Sequence, residues 1–189
     1  MKAAMRLFEA RGYDAVTMEQ IAAEADVAKA TLYNHFPVKE ALLAHQFRQE
    51  IAAGMAVLNA SLARPRSFAG RLRYLLHASA QWNTGRRPYL PHYLRFRSLL
   101  GTQGGGAAEH YGSGTYRILE GMFRDGQAAG EVRADLAPGL LAATFESMLY
   151  GAVLLWLNHP GKSLKHYFDV ALDLLLRGVA AGNAGAGKP

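Results

Sequence analysis

Residues 17–43 read TMEQIAAEADVAKATLYNHFPVKEALL, and this stretch decides the fold. Thr17 followed three residues later by Gln20 is the pattern of a capping box, in which each side chain takes the other residue's backbone N–H. It predicts a short helix with Met18, Ile21, Ala22 and Ala25 on its apolar side. Asp26-Val27 turns the chain, and Ala28 to His35 forms a further short helix. Pro37 ends that helix, because proline lacks an N–H and disfavours helix in the residue before it. The next helix runs without a breaker from about Lys39 to about Leu62. Upstream, Met5, Leu7 and Phe8 give an apolar face that Gly12 closes.

Two short helices joined by a tight turn make a helix-turn-helix candidate, whose second helix would enter the major groove of DNA. Leu32 and Phe36, four apart, are expected to face inward with Val27 and Ile21. Lys29, Thr31, Tyr33 and His35 then face outward as donors to phosphate oxygens, while the small Ala28 and Ala30 permit close approach to base edges.

Any pair of short amphipathic helices shares that outline, but the order of residues here is more specific. From Leu7 to Leu43 the chain resembles the N-terminal domain of the TetR-like (tetracycline-repressor, AcrR-type) family of transcriptional regulators. The resemblance runs through Phe8, Gly12, Thr17, Ile21-Ala22, Ala25, Val27, Thr31-Leu32-Tyr33, His35-Phe36 and Lys39-Glu40-Ala41-Leu42-Leu43 without a gap. Beyond Leu43 the chain matches that family only in the number, length and order of its helices. The resemblance implies phosphate contacts from Thr17, Thr31, Tyr33, His35 and Lys39, and base-edge contacts from Lys29 and Ala30. Gln20 fits either role, and Ala28 and Asn34 complete the candidate interface. Ala28 stands where the family commonly has Ser. Pro37-Val38 replaces a polar cap before Lys39, which weakens that helix start by about 1 kcal/mol.

Charge does not support DNA binding by itself. The net charge is +6, yet residues 1–47 hold five basic and six acidic side chains, a balance of −1. The excess lies between Glu50 and Glu109, where eight arginines (64, 66, 71, 73, 86, 87, 95 and 97) meet no acidic residue. Those arginines are open to two readings: contact with an anionic ligand, or pairing with Glu120, Asp125, Glu131 and Asp135.

The rest of the chain reads as helices over about 64–83, 89–100, 107–129, 136–158 and 163–181, parted by Gly85-Arg86-Arg87-Pro88, the glycine-rich loop 101–106, Gly130 and His159-Pro160-Gly161. The expected fold is all-α with about nine helices. The expected domains are 1–46 for DNA binding and 47–181 for ligand binding and dimerisation, followed by a flexible tail at 182–189. Trp82, Tyr89, Tyr93, Phe96, Arg97, Tyr111, Tyr116, Phe123 and Phe145 are candidate walls and handles of a ligand pocket between bundle helices, though any one of them suits a core equally. Phe145, Met148, Leu149, Leu155, Trp156, Phe168, Leu172, Leu175 and Leu176 form apolar stripes suited to a two-fold four-helix interface.

Several classes are disfavoured. The chain has no cysteine, hence no thiolate metal site or cysteine nucleophile. The glycine loop lacks a P-loop ending, Gly112-Ser113-Gly114 is not a nucleophile elbow, and the histidines lack metal-ligand spacing. No enzymatic activity, cofactor or metal is expected. Nor does any stretch reach the roughly 18 uninterrupted apolar residues of a membrane span. The N-terminus enters an amphipathic pattern directly, so a cytoplasmic protein is expected. These features predict a regulator, by default a repressor, that binds a palindromic double-stranded operator as a homodimer and is released by a small-molecule effector. The alternative is a helical small-molecule-binding protein without a DNA function.

Overall fold

The structure, a computed structural model, describes residues 1–62, 67–101, 114–159 and 161–179. Among them are nine α-helices and no strand: α1 (Lys2–Arg11), α2 (Met18–Glu24), α3 (Lys29–His35), α4 (Lys39–Leu62), α5 (Phe68–Thr84), α6 (Leu90–Gly101), α7 (Thr115–Ala128), α8 (Pro138–Asn158) and α9 (Leu164–Val179), with a 3-10 turn at Arg87–Tyr89. The all-α class and the helix order match the expectation from sequence. The glycine loop at 102–106, the helix start at 107–113, Tyr111, Arg64, Arg66 and the 182–189 tail lie outside the described residues.

Compactness divides the chain into one unit of residues 1–53 and 86–113 and another of 54–85 and 114–189. Residues 86–113, expected from sequence to belong with the ligand-binding part, thus cluster with the N-terminal helices. The reason is aromatic. His92 of α6 stacks 4.1 Å from the Tyr13 ring, Tyr93 meets Phe47 of α4 edge-on at 4.9 Å, and Tyr89 lies 6.3 Å from Phe8. Phe8, Phe47 and Leu90 are fully buried there, and such aromatic pairs add to the area they bury. Arg86 also closes an ion pair with Glu50.

In the second unit α5, α7, α8 and α9 enclose a core centred on Phe68, Phe123 and Phe145. Phe123 sits 5.2 Å from Phe68 and 6.4 Å from Phe145. The α5 start is capped twice: Ser67 Oγ accepts from the Gly70 N–H at 3.2 Å, and Glu131 Oε2 accepts from the Phe68 N–H at 2.7 Å. Gly126 lets α7 approach closely, since a Cβ there would stand 2.8 Å from Val132 Cγ2 and 2.9 Å from Phe68 Cδ2.

α8 is long and apolar enough to cross a membrane by length and composition. One side of it, including Leu141, Phe145, Leu149 and Trp156, is buried within its own unit, which is how a core helix meets the same criterion.

Candidate nucleic-acid interface

α1 ends at Gly12, whose φ of +82° only glycine adopts readily and whose N–H returns to Phe8 O at 2.9 Å. The capping box then forms: Thr17 Oγ1 accepts from the Gln20 N–H at 3.2 Å, and Gln20 Oε1 accepts from the Thr17 N–H at 3.0 Å. Both bonds use acceptors. The Thr17 hydroxyl proton and the Gln20 Nε2 hydrogens stay outside the box, on exposed residues.

The turn between α2 and α3 hinges on Asp26, the one described non-glycine residue with positive φ, at +52°. Its neighbours satisfy the end of α2, with the Val27 N–H donating to Ala22 O at 3.0 Å and the Ala25 N–H to Ile21 O at 3.0 Å. Aspartate tolerates this left-handed geometry better than most side chains. Val27, expected to face inward, is instead 41% exposed. The left-handed residue before it redirects the chain and turns Val27 outward.

α3 buries a single side chain, Leu32. Lys29, Ala30, Thr31, Tyr33, Asn34 and His35 are all exposed, as is Ala28 at the N-cap, where no side chain caps the helix. Phe36 is half-buried and meets His45 edge-on at 5.4 Å. A helix held by one leucine, with every other side chain in solvent, is arranged to present those side chains to a partner.

Two donors of this face are engaged by an acid that sequence reading counted only as charge. Glu19 Oε1 lies 2.6 Å from Lys29 Nζ and accepts the Tyr33 hydroxyl at 3.2 Å. Lys29 Nζ also stands 5.7 Å from the centre of the Tyr33 ring. The hydrogen bond from Lys29 is the main reason the Glu19 carboxyl is held down to about 2, and the same bond raises the lysine.

Lys39 is tied down. Its Nζ donates to Tyr13 O at 2.6 Å and to Val16 O at 2.7 Å, and lies 4.3 Å from the centre of the Tyr13 ring. It therefore pins the α1–α2 loop to the start of α4. Burial, with Glu40 nearby, pushes the Tyr13 hydroxyl well above the ordinary tyrosine range.

Residues 1–45 match the model of the family described as bacterial regulatory proteins, tetR family. The family likeness thus rests on α1, α2, α3 and the start of α4. No curated protein matches it in sequence. The chain is similar to FadR of Thermus thermophilus, a TetR family transcriptional repressor in complex with lauroyl-CoA. That match has a TM-score of 0.82 and 25% identity, and covers 100% of this chain and 97% of that one. FadR of Bacillus subtilis, in complex with stearoyl-CoA, matches with a TM-score of 0.66 and 21% identity over 94% of this chain and 96% of that one. A transcriptional regulator of Saccharomonospora viridis in complex with choline matches at 0.61 and 22%, over 95% and 94%. The last two likenesses concern the fold alone.

The residues expected to line a pocket divide between the two units. Tyr89, Tyr93, Phe96 and Arg97 belong to the first, where Tyr93 is buried and carries the Arg97 guanidinium 5.8 Å from its ring centre. Burial raises the Tyr89 hydroxyl, with a smaller contribution from Glu9. Trp82, Tyr116, Phe123 and Phe145 belong to the second, where Phe123 and Phe145 are fully buried, Trp82 is half-buried and Tyr116 is exposed. Among the arginines, Arg71 pairs with Asp125 at 3.7 Å. Glu120 and Asp135 instead pair with Arg124 and Arg133, and Glu131 caps α5.

Of the residues expected at a dimer face, Phe145, Leu149, Trp156, Phe168, Leu172 and Leu175 are buried inside the protomer, because the apolar stripe they share is the one that closes its own bundle. Met148 and Leu176 are half-buried. Leu155 is 50% exposed, beside Leu154 on α8, and α9 exposes Val170 and Leu174. The exposed apolar side chains thus include Leu155 of the expected set, with Leu154, Val170 and Leu174 outside it.

Proposed function

We propose that this chain is a homodimeric, effector-responsive repressor that reads a palindromic operator with α3. The observation that carries this is the exposure of α3 around the single buried Leu32, within a domain matched to a family of DNA-binding regulators. Thr31, Tyr33 and His35, with Thr17 and Gln20 from α2, donate to phosphates; Lys29 and Asn34 reach base edges past Ala28 and Ala30. Lys39 acts through the loop it pins, with a third ammonium hydrogen left for a phosphate. DNA binding belongs to residues 1–46 and ligand binding and dimerisation to 47–181. Leu154, Leu155, Val170 and Leu174 pair two protomers, setting their recognition helices about 34–36 Å apart, one DNA turn.

An effector lowers DNA affinity only by binding one conformation better than the other. Similarity to the Thermus thermophilus structure holding lauroyl-CoA makes long-chain acyl thioesters the first class to try, with Trp82, Tyr116, Phe123 and Phe145 of the second unit as candidate walls. A gel shift with DNA from upstream of the chain's own gene, repeated with lauroyl-CoA and choline, tests this. Retarded DNA released by one effector supports the reading. Failure to bind that DNA, together with tight effector binding, supports the ligand-binding alternative.

A further inference from the structure

Among the described residues, Glu19 is the acid that meets the donors of the α3 face, and it sits where affinity for DNA would least favour it. Its Oε1 alone gathers the Lys29 ammonium at 2.6 Å and the Tyr33 hydroxyl at 3.2 Å. All three side chains stand in solvent: Lys29 is 61% and Glu19 49% exposed. Stability does not call for the arrangement, because exposed ion pairs contribute little and Ile21, Ala22 and Leu32 already bury the contact of α2 with α3. Chemically, one anionic oxygen holding an ammonium and a hydroxyl is how a DNA phosphate is held.

We propose that Glu19 is a specificity-determining residue that stands in for a phosphate, occupying Lys29 and Tyr33 until DNA displaces it. This rests on the reading of α3 as the recognition helix. Displacement makes the Lys29–phosphate contact an exchange. The lysine leaves one anion for another, and the released carboxylate either recruits a counterion or lies near the phosphate and is repelled by it. On arbitrary DNA Lys29 meets only phosphates and the loss stands; on the operator it reaches a base edge, a neutral acceptor that does not repel the carboxylate. Glu19 thus lowers the hold of the protein on arbitrary DNA more than on its operator. The Lys29 hydrogen bond lowers the Glu19 carboxyl below its ordinary range, so the group that holds the clasp stays ionised across the physiological range. The slightly acidic balance of residues 1–47 acts in the same direction.

Glu19→Gln tests this, since it keeps the size and an acceptor but removes the charge. Fluorescence anisotropy is measured with a mixed-sequence duplex and with the duplex from upstream of the chain's own gene, over a range of salt. The variant is expected to bind the mixed duplex roughly tenfold tighter, the size of one close charge contact per protomer in a dimer, with a steeper salt dependence by about one unit of log-log slope per protomer. Binding to the upstream duplex gains less, so the ratio between the two falls. In a Lys29→Ala background the gain shrinks to within about twofold, because the captured donor is gone. Glu19→Ala is expected to give the same order of affinities, so the result does not depend on how Gln packs. A parent that prefers the upstream duplex while Glu19→Gln binds mixed DNA no tighter overturns the proposal and leaves the DNA reading intact. So does a gain that survives in full without Lys29. A parent that binds neither duplex overturns both.

Discussion

Helix α3 and the terminal pair α8–α9 are opposite kinds of surface. α3 is seven residues long, anchored by Leu32, and shows solvent a set of donors. α8 and α9 bury one full apolar side within the protomer and still expose Leu154, Leu155, Val170 and Leu174 on another. A helix with one anchor is shaped by what it presents. A helix apolar on two sides has one side explained by its own core and a second that calls for a partner. In the first case residue identity points to the function; in the second, only the three-dimensional packing separates core from interface.

That contrast can be broken by moving charge and volume between the two sides of α8 and α9. Phe145→Ala, on the core side, should cost roughly 3–5 kcal/mol in urea unfolding. Leu155→Glu with Leu174→Glu, on the exposed side, should leave helicity intact. It should halve the mass seen by light scattering and abolish operator binding. If the double variant remained dimeric, the exposed apolar face would not be the interface. The close packing of α7 sharpens the same point: Gly126→Ala should destabilise by about 1–3 kcal/mol despite alanine's better helix propensity, because the new methyl meets Phe68 and Val132.

At the DNA end the contrast predicts smaller effects on stability and larger ones on binding. Lys39→Ala strips an ammonium from two carbonyls. It should lower unfolding stability by on the order of 2 kcal/mol, as well as weaken DNA binding. An unchanged melting temperature would mean that the lysine serves phosphates alone. Thr31→Ala should leave the melting temperature unchanged and reduce affinity for all duplexes several-fold, with a shallower salt slope. Smallest of all, an NMR titration of the Glu19 carboxyl should give a midpoint near about 2 instead of the ordinary 4.5. The folded value is the lower one, so the clasp's stabilisation is present above the ordinary range and is lost only as pH falls towards 2.

The features legible from sequence are the local ones. The Thr17–Gln20 box, the Gly12 stop and the α4 span from Lys39 to Leu62 follow from spacings of a few residues and formed as expected. Features set by distant partners were not legible. Lys39 is fixed by carbonyls 26 and 23 residues earlier, and α5 is capped by a glutamate 63 residues later. Nothing near Glu19 in the sequence announces Lys29, because the pair forms across a turn whose shape depends on Asp26 adopting a left-handed φ. The same turn put Val27 outside. In α8 and α9 a helical period identifies apolar stripes but not which of them meets the protomer's own core, so most of the residues expected at an interface are buried in the protomer while Leu155 is exposed.

If α3 reads DNA sequence, the protein must prefer one duplex over another. Titrating the purified chain into labelled duplex from upstream of its own gene and into mixed-sequence duplex, at the same salt, tests it most directly. Saturable binding of two protomers per site is expected on the upstream duplex, with markedly weaker and more salt-sensitive binding to the mixed one. Equal affinity for both duplexes, or affinity unaffected by Tyr33→Ala, would contradict it.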